Sequence, residues 1–146
     1  MLIGIKPCIS AELLSVLYRM GHGDEIVLAD AFFTGDALNA RVVRADGIKI
    51  ADLLDGILRL INLDAYDKAP VVMMQPTAGD AIDPSVEQRY REAIDRYWPD
   101  TPPIARMERF AFYERTRKAF AVVMTGETAP YGNIILKKGV PPITVA

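Results

Sequence analysis

The sequence predicts an α/β fold: one domain over residues 1–146, with helices on both faces of a mixed, mainly parallel sheet in three α/β/α layers. Two observations carry this. Segments with apolar residues at three- and four-residue spacing alternate with short, uniformly apolar runs, as expected of helices covering a sheet buried on both faces. The last two runs, residues 120–124 and 134–136, are joined by about nine residues that include Gly126, Pro130 and Gly132. No crossover helix fits there, so at least one strand pairing is expected to be antiparallel.

The elements follow in order. Ser10 is a favourable N-cap, and Leu13, Leu14, Leu17 and Met20 share a helical face over residues 10–20, with Gly21 as the expected terminator. Ile26-Val27-Leu28-Ala29 reads as a buried strand. Residues 31–40 read as a loop around Thr34-Gly35-Asp36, and Val42-Val43 as a short strand. Ile50, Leu53, Leu54, Ile57, Leu60 and Ile61 make one face of a helix over residues 49–61. Residues 71–74 form a second buried strand. Asp83-Pro84 supplies an N-cap followed by proline at the first helical position, opening a helix that runs to about Trp98. A strand is expected over residues 106–110, a short helix over 113–118, and the two final strands after it.

Composition excludes several function classes. Hydrophobic residues make up 51% of the chain and charged residues 25%, enough apolar surface to offset the entropy of ordering. Seventeen basic against nineteen acidic side chains give a net charge of −2, and no basic face suited to nucleic acid stands out. The longest apolar run, residues 119–124, is far below the roughly 20 needed to cross a bilayer, and residues 1–10 do not read as a secretory leader. Cys8 is the single cysteine and His22 the single histidine, too few for a Cys/His zinc site. No G-x-S-x-G or P-loop pattern occurs, and Gly21-His22-Gly23 fails as a dinucleotide fingerprint because Ile26 stands at the third glycine position. Acid–base chemistry without a cofactor remains, or binding alone.

Within that space a few residues stand out. His22 stands between two glycines, and imidazole is the side-chain type suited to proton transfer in either direction; the alternative is an exposed turn residue. Asp30 ends a buried strand, where ligands of such sheets gather, and is either a hydroxyl acceptor or a turn cap. Arg109-Phe110-Ala111-Phe112-Tyr113-Glu114-Arg115 offers charges for hydroxyls and rings for C–H faces, or else a short amphipathic element. Tyr131-Gly132-Asn133 supplies a hydroxyl and an amide, or an ordinary turn. Asp24 and Glu25 read as solvated turn charges and Lys137-Lys138 as a solvated strand end.

These residues occur in an order and spacing that resemble the L-fucose mutarotase and D-ribose pyranase family over nearly the full length. The matching stretches include Met20-Gly21-His22-Gly23-Asp24-Glu25-Ile26, Asp30-Ala31, Arg44-Ala45-Asp46-Gly47, Asp83-Pro84, Arg89-Tyr90-Arg91, the segment 109–115, Thr125-Gly126-Glu127 and Tyr131-Gly132-Asn133-Ile134. The resemblance implies anomer interconversion of a monosaccharide without cofactor or metal. It implies His22 as the catalytic residue, with Asp30, Arg109, Tyr113, Tyr131, Gly132 and Asn133 binding the sugar. It further implies cytoplasmic homo-oligomers, pentameric rings or decamers, with sites near subunit interfaces. Arg109 and the glycine at 132 favour the fucose branch over the ribose branch. Phe32-Phe33-Thr34 departs from that branch's His-Phe-Pro and bears on sugar preference. Two other activities fit the same residues: a ribose pyranase, and a monosaccharide-binding accessory of an uptake system.

Overall fold

The computed structural model describes residues 1–142. Six strands form one sheet: β1 (Glu25–Ala29), β2 (Val42–Ala45), β3 (Val71–Met74), β4 (Ala105–Met107), β5 (Ala121–Thr125) and β6 (Ile134–Lys137), in the order β2-β5-β1-β6-β3-β4. The pairs β1–β5, β2–β5 and β3–β4 are parallel, while β6 runs antiparallel to both β1 and β3. The sheet is thus mixed, as expected, but its antiparallel strand does not pair with β5. β1 lies between them, which is why the short β5–β6 connection needs no hairpin.

The helices are α1 (Ala11–Arg19), α2 (Gly35–Leu38), α3 (Ile50–Ile57), α4 (Pro84–Tyr97) and α5 (Arg109–Lys118). Strand side chains alternate between two apolar layers. Ile26 and Leu28 join Leu13, Leu17, Leu53, Tyr90 and Ile94 from α1, α3 and α4 on one face. Val27 and Ala29 pack with Phe112 of α5 on the other. β1 is therefore held on both faces and both edges, and its two ends are fixed relative to each other.

Several boundaries differ from expectation. Arg109 and Phe110 belong to a helix, not a strand: the Glu108 carboxylate accepts from the N–H groups of Phe110 and Ala111 at 2.9 and 3.0 Å and starts α5 early. α3 ends at Ile57, four residues short, because the Trp98 indole N–H takes the carbonyls of Leu58 and Ile61 at 2.9 and 3.1 Å. A short helix, α2, sits where a loop was expected. At the end of α1, Gly21 is not left-handed. Instead the Lys138 ammonium donates to the carbonyls of Leu17 and Met20 at 2.8 and 2.6 Å, so this lysine is a helix cap and not a solvated strand end. Glu25 likewise is no turn charge: it lies in β1 and is ion-paired with Arg115.

Candidate functional site

The carboxyl end of β1 gathers most of the residues singled out in the sequence. Asp30 follows the strand directly and is 8% exposed. Its Oδ1 accepts from the Phe32 N–H at 2.9 Å, and its own N–H donates to the Asn133 amide oxygen at 2.7 Å. Asn133 stands just before β6, whose antiparallel pairing with β1 brings residues 103 positions apart side by side. Burial raises the Asp30 carboxyl above its ordinary value, and the nearby Glu127 charge adds to this, against hydrogen bonds from Phe32, Asn133 and Phe33. Among the described residues no cation pairs with Asp30. It is a buried acid with an incomplete set of partners, the state expected of a group waiting for ligand hydroxyls.

The loop leading to β6 is built to a fixed shape. Tyr131 has φ of 57°, the left-handed region that a bulky side chain enters only under constraint. Its hydroxyl donates to Asp80, and its ring packs on the layer holding Phe112 and Met124. Below it the fully buried Tyr90 donates to the Gly132 carbonyl at 2.8 Å. A Cβ at Gly132 would stand 3.0 Å from the Ala129 carbonyl oxygen and 3.1 Å from the Tyr90 hydroxyl, so the loop lies too close to its support for a larger residue to fit without a shift. Burial pushes the Tyr90 hydroxyl far above its usual range, so it acts as a fixed donor.

Arg109 and Tyr113, one turn apart on α5, complete this end. The Phe33 ring meets Tyr113 edge-on at 5.7 Å, and the Arg109 guanidinium lies 5.7 Å from the Tyr113 ring centre. Arg109 makes no ion pair among the described residues. It borders a cleft of about 320 Å³ with Gln75, Pro76, Thr77 and Glu108.

His22 is at the other end of β1. Five residues rising about 3.3 Å each put roughly 17 Å between the strand's ends. The structure therefore brings Asp30, Asn133, Tyr131, Gly132, Tyr113 and Arg109 to one end of the sheet and leaves His22 of the same chain at the opposite end. There its Nε2 lies 3.1 Å from Asp64 Oδ1, its ring lies 5.6 Å from that of Tyr66, and 45% of its side chain is open to solvent.

Residues 3–141 match the model of the RbsD / FucU transport protein family. The chain belongs to that family. Among its RbsD / FucU relatives is the L-fucose mutarotase of Actinobacillus pleuropneumoniae serotype 5b (strain L20), 57% identical over 143 residues that cover 98% of this chain and 99% of the relative. The crystal structure of the fucose mutarotase of Streptococcus pneumoniae in complex with L-fucose superposes with a TM-score of 0.91 at 45% identity, covering 95% of this chain and 99% of that one. Bacillus subtilis RbsD, solved with D-ribose, covers 96% of this chain and 98% of its own at a TM-score of 0.70 and 21% identity, and shares the fold.

Four residues of the two ends escaped the sequence reading. Tyr90 was legible as part of the apolar face of the helix opened by Asp83-Pro84 but not as a support of the site, Glu127 only as part of a matching stretch, and Asp64 and Asp80 not at all. Glu127 is 6% exposed, takes the N–H groups of Thr128 and Ala129 and lies 3.6 Å from the Lys49 ammonium. Each works through a contact at least 40 residues away in sequence or through a buried carboxylate, and neither leaves a local pattern.

Proposed function

We propose that this chain is an aldose mutarotase that interconverts the α and β anomers of L-fucose or a closely related monosaccharide. The near full-length likeness to relatives named for that activity, one of them holding L-fucose, carries the reading. The geometry supports it with a buried Asp30 and an Arg109 that make no ion pair among the described residues, and with rings of Tyr113 and Tyr131 at the same end of the sheet, a set suited to hydroxyls on an apolar-edged ring.

In the forward step the bond between the anomeric carbon and the ring oxygen breaks. The ring oxygen gains a proton, the anomeric hydroxyl loses one, and an open-chain aldehyde results. Rotation about the adjacent C–C bond and reclosure in the reverse sense give the other anomer. Proton transfer supplies the whole reaction, and one positioned acid–base group is worth about 10²–10⁴-fold. We assign the proton exchange with the ring oxygen to His22, and hydroxyl binding to Asp30, Arg109, Tyr113, Tyr131, Gly132 and Asn133.

Because His22 and Asp30 of one chain lie at opposite ends of β1, we infer that the site closes between copies in a cytoplasmic homo-oligomer, a pentameric ring or a pair of rings. His22 of one copy then faces the Asp30 cluster of the next. Exposed aromatic residues flank both halves, Phe32 (81% exposed) beside Asp30 and Tyr66 (84%) beside His22, which supports a covered surface at each.

Saturation-transfer NMR on α- and β-L-fucose tests the reading. The wild type should speed exchange, and His22→Ala and Asp30→Ala should each lose about a hundredfold or more. Unfolding and refolding the two variants together should restore about a quarter of the sites by random pairing. Sugar binding without accelerated exchange would favour the accessory role, and faster exchange of D-ribose than of L-fucose the pyranase.

A further inference from the structure

Asp64 is a buried carboxylate outside the sugar-binding cluster, 6% exposed, with His22 as its side-chain partner. One oxygen, Oδ1, receives both the Tyr66 N–H and the His22 Nε2, each at 3.1 Å. Both partners are fastened to the same piece of chain. The Asp64 N–H donates to the Lys137 carbonyl at 2.9 Å. On the His22 side, Gly23 donates to the Lys138 carbonyl at 2.8 Å, and the Lys138 N–H returns to Asp24 at 2.9 Å. The imidazole and the carboxylate are thus set against each other by β6 and its continuation before any sugar arrives.

A carboxylate only accepts, so the hydrogen between the two belongs to Nε2. We propose that Asp64 is the positioning residue of His22: it fixes the Nε2–H tautomer and the ring's orientation, leaving Nδ1 as the nitrogen that gives and takes the sugar's proton. This rests on His22 being the proton carrier. Burial alone would raise the Asp64 carboxyl, but the Tyr66 N–H, the His22 ring and the Lys137 charge outweigh it and hold the group below its ordinary value, on the side of the ionised form. The other charges nearby are already engaged: Lys137 with Asp67, Lys138 with the end of α1, and Asp24 with the Gly21 N–H. Asp64 is left as the carboxylate that faces the imidazolium formed in each cycle.

The test combines ¹⁵N correlation spectra of the single histidine with exchange kinetics. The wild type should show the Nε2–H tautomer in its neutral form. Asp64→Ala should give a mixture of tautomers and slow exchange roughly tenfold or more, through kcat with little change in KM, and never by more than His22→Ala does. Asp64→Asn keeps an oxygen held by the Tyr66 N–H but no charge. It should keep the tautomer, fall between wild type and Asp64→Ala in rate, and move the fastest exchange to lower pH. In a His22→Ala background, Asp64→Ala should cost nothing further. An Asp64→Ala protein that is folded and keeps the Nε2–H tautomer overturns the proposal, as does a full additional loss in the His22→Ala background. A changed tautomer with undiminished exchange in both Asp64→Ala and His22→Ala would instead remove His22 from the chemistry and leave the orienting role standing.

Discussion

The two ends of β1 treat charge in opposite ways. At its start four charged or titratable side chains are each engaged: Glu25 with Arg115, His22 with Asp64, Lys137 with Asp67, Lys138 with the last carbonyls of α1. At its finish, among the described residues, Asp30 is buried without a cation and Arg109 stands over aromatic rings without an anion. On the proposed reading, matched pairs rigidify the end that presents the imidazole. Unmatched groups then keep their hydrogen-bonding capacity for the sugar, at a cost in stability.

The contrast is sharpest between two arginines of one helix. Arg115, partly buried, donates to both oxygens of Glu25. Arg115→Ala leaves that carboxylate unpaired at the start of β1 and should cost about 1–3 kcal/mol, lowering the Tm by roughly 5 °C, with turnover per folded molecule retained. Arg109→Ala should leave the Tm within about 1 °C and weaken L-fucose binding roughly tenfold, the worth of a hydrogen bond to a charged group. Thermal denaturation and sugar titration of the two variants decide it. If Arg109→Ala lost stability and Arg115→Ala lost affinity, the division of labour between the ends would be reversed.

Much of this was legible in the sequence because it is written locally. Ser10 and Asp83-Pro84 announce α1 and α4 through side chains that cap within three residues, and both caps form. The mixed sheet followed from a connection too short for a helix. α5 was misread at its start because its cap is a glutamate, not one of the short side chains that signal a helix start, and because aromatics suggest a strand. The cluster around Asp30 was legible as separate motifs, and β1, β5 and β6 gather them. What could not be read was distance across the sheet. His22 and Asp30 are eight residues apart in sequence and were joined in one site by the resemblance, yet an extended strand of five residues between them holds them apart in one chain. Asp64 was hidden for the complementary reason: its partner is 42 residues away, and a lone aspartate in a turn carries no pattern.

Asp30→Asn sharpens the comparison with a smaller effect and an inverted sign. The folded state raises the Asp30 carboxyl above its ordinary value of 3.8, so the native chain holds this proton more tightly than the unfolded chain. Its contribution to stability is therefore greatest in acid, declines as pH rises from about 4 through the raised value, and stays lost at neutral pH. An asparagine can still accept the Phe32 N–H and carries no charge to bury. Asp30→Asn should raise the Tm by on the order of 2 °C at pH 7, with the gain vanishing near pH 3, while sugar binding falls. Calorimetry at the two pH values is the measurement, and a Tm lowered at pH 7 would mean that the buried charge is compensated after all.

The last comparison concerns backbone and not charge. Each end of β1 is reached through a left-handed residue: Gly23 with φ of 86° before it, and Tyr131 with φ of 57° in the loop that returns beside Asp30. Glycine adopts that conformation freely, whereas tyrosine does so at a cost of about 1–2 kcal/mol. The strain is thus confined to the unmatched end, where the Tyr131 hydroxyl on Asp80 and the ring on the Phe112 layer hold it in place. Comparing Tyr131→Gly with Tyr131→Ala isolates it, since both remove the ring and the hydroxyl. In an ordinary loop position alanine would be the more stable by a few tenths of a kcal/mol or more, because it has less unfolded-state entropy to lose. Here the order should invert, with the glycine variant more stable by about 1 kcal/mol in urea denaturation. At position 23 the same pair of residues, wild-type glycine against Gly23→Ala, should show the same inversion. Equal inversions at both positions would place an identical left-handed demand at each end, met by glycine where the chain only turns and by tyrosine where it also has to present a side chain.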